Sequence, residues 1–392
     1  MSPEQTGAPG SPGGADPQPR EGRARGQLRG PSVARGAVPA RAGCVVIDKP
    51  AGLTSHDVVG KVRRLAATKK VGHAGTLDPM ATGVLVVGIG AATRLLTHIT
   101  GTDKEYVATI RLGIATTTDD AEGEVVAAPG CAEVDPARLE AELAALTGQI
   151  MQVPATVSAI KVDGVRSYAR ARAGQEVELA ARPVTVSAFE LTAAPRPLTV
   201  TALLAQAPVG QGEGRNVVPG GEAGQAPVET PAPVEVQASV ETPVPVEVQV
   251  VDLDVRVVCS AGTYIRALAR DLGRALGSAG HLTRLRRTRV GSFTEADALS
   301  LEQASAQVER DAAGPAPSGL AVRPLTEVVA AEFPIRHVDE AEAEALRKGM
   351  FLPAADGPAP GAAIGPGGAV ALLRRQENHD RPYVVFPANI EG

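Results

Sequence analysis

The sequence predicts an α+β protein in two folded units: a large one over residues 43–330 and a small β-rich one over 331–392, behind a tail of residues 1–42. Three observations carry that expectation. Short apolar runs of strand length, among them Cys44–Ile47, Val84–Val87 and Tyr106–Leu112, are interleaved with segments whose apolar residues recur at helical spacing. Asp163-Gly164 has the chemistry of a tight hairpin turn. From Phe333 the chain breaks into short strands and turns around one helical stretch, Ala341–Lys348.

Composition sets the limits. Hydrophobic residues make up 44% of the chain, but aromatics only 2% and Trp is absent, so Val, Leu, Ile and Ala must fill the core. Cys44, Cys131 and Cys259 lie far apart, with no CxxC pair. That argues against a zinc site or a disulfide framework and fits a reducing cytosol. No apolar run approaches the ~20 residues of a membrane span. The Gly-, Pro- and Arg-rich start lacks the apolar stretch of a secretory signal, so a cytoplasmic protein is expected. The formal net charge is −5, and the six Glu and one Arg between Pro208 and Val250 account for all of it. The neutral remainder concentrates its bases at Lys61, Arg63, Arg64, Lys69 and Lys70, then at Arg266, Arg270, Arg274, Arg284, Arg286, Arg287 and Arg289. Such runs are either solvated faces or positive fields for an anionic polymer.

Taken in order, residues 1–42 are too poor in apolar surface to offset chain entropy, and read as a disordered tail. Cys44–Ile47 is a buried strand ending in the turn Asp48-Lys49-Pro50-Ala51-Gly52. Ser55 caps a helix with Val58, Val59, Val62 and Leu65 on one face. The loop Gly72-His73-Ala74-Gly75-Thr76-Leu77-Asp78-Pro79-Met80-Ala81-Thr82-Gly83 follows. Its glycines permit close backbone approaches, and Pro79 forces Asp78 out of the helical region. The next strand, ending Gly88-Ile89-Gly90-Ala91-Ala92-Thr93, lacks the third glycine of a dinucleotide fingerprint. Tyr106–Leu112 and Glu124–Val126 read as strands. Asp135-Pro136 opens a helix that Gly148 closes. Ser167–Ala173 is a short helix and Val184–Leu191 a strand. Leu198–Leu204 and Val251–Cys259 form a hairpin whose connection, residues 208–250, is an acidic Pro/Glu/Val insert with a ten-residue duplication, expected as an exposed extended loop. A helix from Tyr264 to Leu276 repeats Arg266, Arg270 and Arg274 on one side.

The chemistry-bearing residues are few: a lone carboxylate on a constrained loop (Asp78), a tyrosine beside charges (Tyr106), an arginine entering a helix (Arg266), and basic surfaces. With no Ser-His-Asp spacing, metal cluster or phosphate-binding lysine loop, this set suits cofactor-free chemistry on an anionic polymer. A carboxylate serves there as nucleophile or base, an arginine beside it keeps it ionised, and a tyrosine stacks on a flipped base. Each has a plainer reading as well: a turn acid for Asp78, a turn histidine for His73, a solvated turn lysine for Lys49, a core residue for Tyr264.

Four motifs occur in one order: Val46-Ile-Asp-Lys49-Pro50-Ala-Gly-Leu-Thr-Ser55, the Gly72–Gly83 loop, Asp103-Lys-Glu-Tyr106, and Cys259-Ser-Ala-Gly-Thr-Tyr264-Ile-Arg266. Together they resemble the bacterial TruB-type tRNA pseudouridine synthases from about Cys44 to Leu325, the insert apart. The segment from Phe333 resembles that family's small PUA-like domain. The resemblance implies a pseudouridine synthase fold, with a mixed, mainly antiparallel sheet flanked by helices, and a PUA-like RNA-binding domain over 331–392. It implies isomerisation of uridine 55 in the tRNA T-loop to pseudouridine, with no metal or organic cofactor and no obligate protein partner, by a monomer. By position, Asp78 is the implied catalytic aspartate, Arg266 its partner, and Tyr106 the tyrosine that stacks on the target uracil. The resemblance also implies that His73 fills space left by flipped nucleotides, that Tyr264 walls the pocket, and that Lys49, packed with Pro50 near it, counts with Tyr106, Arg266, His73 and Tyr264 among the substrate-binding residues. Two positions depart from the family pattern: Val157 stands where a tyrosine is common and Thr117 where an acid is frequent, while Asp120 keeps its place. The rival expectation is a catalytically silent tRNA-binding or RNA-folding module.

Overall fold

In the first strand, β1 (Gly43–Lys49), Cys44 and Val46 face one side of the sheet while Val45 and Ile47 face the other, and all four are buried. A strand with both faces apolar belongs in the middle of a sheet covered on both sides. The computed structural model, which describes residues 30–155, 161–162, 165–166, 180–204 and 244–388, places it there. After β1 come α1 (Ser55–Leu65), β2 (Val71–Ala74), β3 (Thr82–Ile89), α2 (Leu96–Thr100), β4 (Lys104–Leu112), β5 (Ala115–Thr116), β6 (Val125–Ala127), α3 (Pro136–Ala145) and β7 (Gly148–Gln152). The pair β8 (Lys161–Val162) and β9 (Val165–Arg166) flanks Asp163-Gly164 as a hairpin would. Then follow β10 (Arg182–Leu191), β11 (Arg196–Leu204), β12 (Val244–Cys259), α4 (Ile265–Ala275), β13 (Gly280–Val290), β14 (Phe293–Thr294), β15 (Ala298–Leu299), α5 (Leu301–Ala312), β16 (Arg323–Pro324) and α6 (Leu325–Glu332).

These strands build one mixed, mainly antiparallel sheet in the order β15-β1-β3-β13-β4-β12-β11-β6-β5, with β2, β7, β10, β14 and β16 attached to its sides. The junction that matters most is parallel: β13 meets β3 at Arg286↔Thr82 and Arg287↔Gly83. Helices α1, α3, α4 and α5 cover one face, where Val58, Val62, Leu139, Leu268, Leu272 and Val308 pack on Ile47, Leu85, Ile110 and Val255. On the other face α6 and the C-terminal unit share a second core, in which Leu325, Val328, Leu372 and Phe386 pack on Cys44, Val46, Val84 and Val86. The C-terminal unit is a five-stranded sheet of β17 (Ile335–His337), β18 (Leu352–Pro353), β19 (Ala362–Gly365), β20 (Gly368–Gln376) and β21 (His379–Val385), with α7 (Glu340–Arg347) against it.

Four expectations change. Residues 30–42 are not a loose tail: Val33 is buried, Ala34 donates to Ser305 Oγ, and Gly36 and Ala40 donate to carbonyls at the end of α1. Backbone bonds and one valine do what composition alone did not promise. The strand after the insert starts earlier than Val251. Val244 to Asp252 pairs with Leu204 back to Arg196, so the end of the second repeat copy is strand. There Val248 and Val250 point in while Glu247 and Gln249 point out, the period-2 pattern of a half-buried strand. Pro245 fits because β4 joins β12 only from Val251 onward. The cap of α1 is Thr54, in a reciprocal capping box with Asp57; Ser55 sits inside the helix, buried, with another task. Gly148 does not close α3, which is capped at Leu146; it opens β7. The expected helix at Ser167–Ala173 and the departure at Val157 lie outside the described residues.

Candidate active site

The Asp78 loop is tied down at almost every residue from Gly75 to Ala81. Arg287, on β13, is buried, and its guanidinium donates to the carbonyls of Val84 (2.8 Å), Gly75 (3.1 Å) and Thr76 (3.4 Å). Ser55 Oγ accepts from the Leu77 N–H at 2.8 Å and donates to the Leu77 carbonyl at 3.1 Å, pairing with that residue as a strand neighbour would. Lys49 Nζ donates to the carbonyls of Leu53 (2.6 Å), Pro50 (3.0 Å) and Pro79 (3.0 Å), and Gly52 N–H adds a second donor to Pro79. Gly83 closes the loop at φ +97°; a Cβ there would lie 2.2 Å from the Arg287 carbonyl, so the β3–β13 junction admits only glycine. A segment so tied loses little further entropy when it meets a ligand.

Asp78 emerges from this frame against Arg266, one residue into α4. Arg266 Nε lies 3.0 Å from Asp78 Oδ2 and its Nη2 donates to Oδ1 at 3.3 Å. This is a two-pronged contact that fixes the plane of the carboxylate. The arginine is buried, whereas the Asp78 side chain keeps 36% of its surface accessible, so the acid is held from behind and open in front. Arg266 Nη1 donates to the Thr118 carbonyl at 2.8 Å, and Asp120 Oδ2 lies 3.6 Å from its Nε. Asp120 is itself buried and accepts from Thr118 Oγ1 and the Glu122 N–H. A second arginine one turn on, Arg270, ties α4 to Asp119 and to the Val153 carbonyl. Nearby carboxylates and burial push Glu122 up, burial first, then Asp120 and Asp78.

The other expected residues fall as follows. Tyr106, on β4 opposite Arg287, is buried, and burial pushes its phenol up against the opposing pull of the Arg287 guanidinium. His73, on β2, is half-buried, and burial holds its imidazole below the ordinary range, hence neutral at pH 7; none of the described contacts joins it to Asp78. Tyr264 is the N-cap of α4, with both backbone groups held by the Gln152 amide. Lys49 is corrected: with no exposed surface and all three donors on backbone carbonyls, it cannot touch a substrate and instead supports the loop from beneath. Burial lowers it to about 8, against the pull of Asp78. Thr117 does not reach the site; its hydroxyl accepts from the Glu124 N–H in the connection between β5 and β6. Reading the sequence missed Ser55, Asp120, Gln152 and Arg287. Arg287 sits in a basic run that reads equally as a solvated face or a field for an anionic polymer, and nothing local distinguished it from Arg286, which pairs with Asp48 and Glu295 at the surface.

The fold is that of the pseudouridine synthases. It superposes on the solved Cbf5-Nop10-Gar1 complex with a TM-score of 0.55 (22% identity, 88% of this chain and 85% of that one). On an H/ACA RNP bound to a substrate RNA containing 2′-deoxyuridine the TM-score is 0.54 (21% identity, 88% and 86%). Within that class the chain belongs to the TruB family of pseudouridylate synthases. The TruB family pseudouridylate synthase N-terminal domain matches residues 63–209, the tRNA pseudouridylate synthase B C-terminal domain 266–329, and the tRNA pseudouridine synthase II C-terminal segment 333–387. Relatives named tRNA pseudouridine synthase B include those of Arthrobacter sp. (strain FB24), 46% identical over 88% of this chain and 97% of the relative, and Thermobifida fusca (strain YX), 45% over 88% and 98%. That of Streptomyces griseus is 46% identical over 86% and 93%.

Proposed function

We propose that this chain isomerises uridine 55 in the T-loop of tRNA to pseudouridine, with Asp78 as the catalytic carboxylate. The observation that carries the reading is the Asp78–Arg266 pair: a carboxylate fixed by a buried two-pronged arginine and still open to a ligand. The reaction exchanges the N1–C1′ bond of the nucleotide for a C5–C1′ bond; C5 gives up a proton and N1 gains one, so atoms and electrons balance without an oxidant. A fixed carboxylate serves such a step as nucleophile or base. Tyr106, His73 and Tyr264 are the proposed substrate contacts, with Arg266 holding the acid in place. Residues 331–392 are the proposed RNA-binding domain. Phe351 and Tyr383, the two exposed aromatics among the described residues, both lie there, under Arg381 (5.2 Å) and Arg374 (5.1 Å). Rings and guanidinium planes of this kind are stacking platforms for nucleotides.

The test is to incubate the protein with unmodified tRNA and map pseudouridine by position. Modification at 55 is expected, and Asp78→Asn should abolish it while leaving tRNA affinity within a few-fold. Tight tRNA binding with no pseudouridine, or full activity in Asp78→Asn, overturns the reading, the first outcome in favour of a silent RNA-binding module.

A further inference from the structure

Outside the loop itself, one buried side chain meets the start of the helix that carries Arg266. Gln152 ends β7, is almost wholly buried, and turns its amide onto the backbone of Tyr264: Oε1 accepts from the Tyr264 N–H at 2.8 Å and Nε2 donates to the Tyr264 carbonyl at 3.0 Å. Tyr264 is the N-cap of α4, and its own side chain makes no capping hydrogen bond to the first turn. The Tyr264 carbonyl also accepts the Leu268 N–H, so the same atom starts the helical ladder. One turn further, Arg270 Nη2 donates to the carbonyl of Val153, the neighbour of Gln152. The end of β7 is thus sewn to the start of α4 at two points, and Arg266 lies between them.

We infer that Gln152 is a positioning residue for the reaction: its amide sets the start of α4 and, through it, the alignment of Arg266 with the Asp78 carboxylate. The inference rests on the reading that Asp78 is the catalytic carboxylate. A primary amide suits the task because it offers one donor and one acceptor side by side, matching the two backbone groups of a single residue. A carboxylate keeps the acceptor and loses the donor, which sets its charge against the Tyr264 carbonyl; a neutral carboxyl restores both bonds. Gln152→Glu therefore carries a switch that wild type lacks. Burial pushes such a carboxyl above its usual range, so the switch falls at a pH convenient for assay. The charged groups facing this corner, Arg266, Arg270 and Asp271 of α4 and Asp119 beside β5, are present in both proteins, so the ratio of variant to wild type isolates the new group.

The experiment measures kcat and KM on unmodified tRNA for wild type, Gln152→Met and Gln152→Glu across pH 5.5–8.5, with a thermal melt of each. Expected are a fall in kcat of about tenfold or more for Gln152→Met with KM within a few-fold, and for Gln152→Glu a kcat ratio to wild type that recovers as pH falls. Two results overturn the inference: wild-type kcat in Gln152→Met, or a Gln152→Glu ratio that is flat with pH. A role confined to stability would lower the melting temperature and leave both kinetic signatures untouched. Should Gln152→Met fail to fold, the Gln152→Glu ratio decides alone. Wild type without activity on tRNA would instead strike at the proposed function, so the two failures are distinguishable.

Discussion

At the residue scale the site separates groups that face outward from groups that hold them. Arg266→Lys tests the second kind. An ammonium supplies one point of charge where the guanidinium supplies two aligned donors to Asp78 and a third to Thr118, so kcat on unmodified tRNA should fall by about tenfold or more with little change in KM. Lys49 makes a second prediction, about stability. Burial lowers its amine from the ordinary 10.5 to about 8. Between those two pH values the unfolded chain holds a proton that the native chain has released. Stability therefore rises with pH across that window, as the cost of a buried charge is relieved, and below about 8 this contribution is absent. Urea melts at pH 7.5 and 10 should show a larger gain, or smaller loss, for wild type than for Lys49→Met. Equal changes would mean that Lys49 does not titrate there. Asp78 and Arg266 were legible in the sequence because their surroundings, a Gly-rich loop with proline and a Gly-Thr-Tyr helix entry, are unusual. Arg287, Ser55 and Gln152 were not. Each acts on a backbone more than twenty residues away through ordinary hydrogen bonds, and a serine at a helix start or a glutamine ending a strand announces nothing.

At the scale of elements, the β3–β13 junction is the least forgiving. Gly83→Ala must place a Cβ at a positive φ and against the Arg287 carbonyl. A loss of about 2 kcal/mol or more is expected by urea denaturation, with backbone strain and displacement adding. Thr54→Ala, which removes the capping box of α1, should cost about 1 kcal/mol in the same assay and leave kcat near wild type. The insert behaves in the opposite sense. Leu204 and Val244 are paired, so residues 205–243 connect two neighbouring strand positions. Replacing them by a short Gly-Asn turn should raise stability by about 1–2 kcal/mol through loop-closure entropy and preserve activity. Loss of activity would give those residues a role the fold does not require. The hairpin was readable from its alternation, but its start was hidden by composition. Prolines and glutamates mark Val244–Val250 as low complexity, whereas the inward valines, paired in the sheet, make it a strand.

At the scale of the whole molecule, the C-terminal unit is less separable than its sequence suggests, because it completes a core. Phe386, Leu372 and Ala362 close over Cys44, Val46, Val84 and Val86, on the reverse of strands that carry the site. Ending the chain at Glu332 should therefore lower the melting temperature and promote aggregation, as an apolar face of the main sheet is uncovered. For the exposed pairs Phe351–Arg381 and Tyr383–Arg374, proposed above as nucleotide platforms, the test is substrate binding rather than stability. Arg374→Ala combined with Arg381→Ala should raise KM for full-length tRNA and leave KM for an isolated T-arm hairpin unchanged. Equal effects on both would place that surface elsewhere than on the body of the tRNA. The long reach of the loop's clamps has a consequence for the life of the chain. Asp78 waits for an arginine 188 residues later, and the Gly75 carbonyl for one 212 residues later. At about 5–20 residues per second of synthesis, Arg266 follows Asp78 by roughly 10–40 s. During that interval the nascent protein carries the acid without its partner. A chain that stops before Arg287 leaves the carbonyls of Gly75, Thr76 and Val84 without their guanidinium donor, and such a fragment is expected to be inactive.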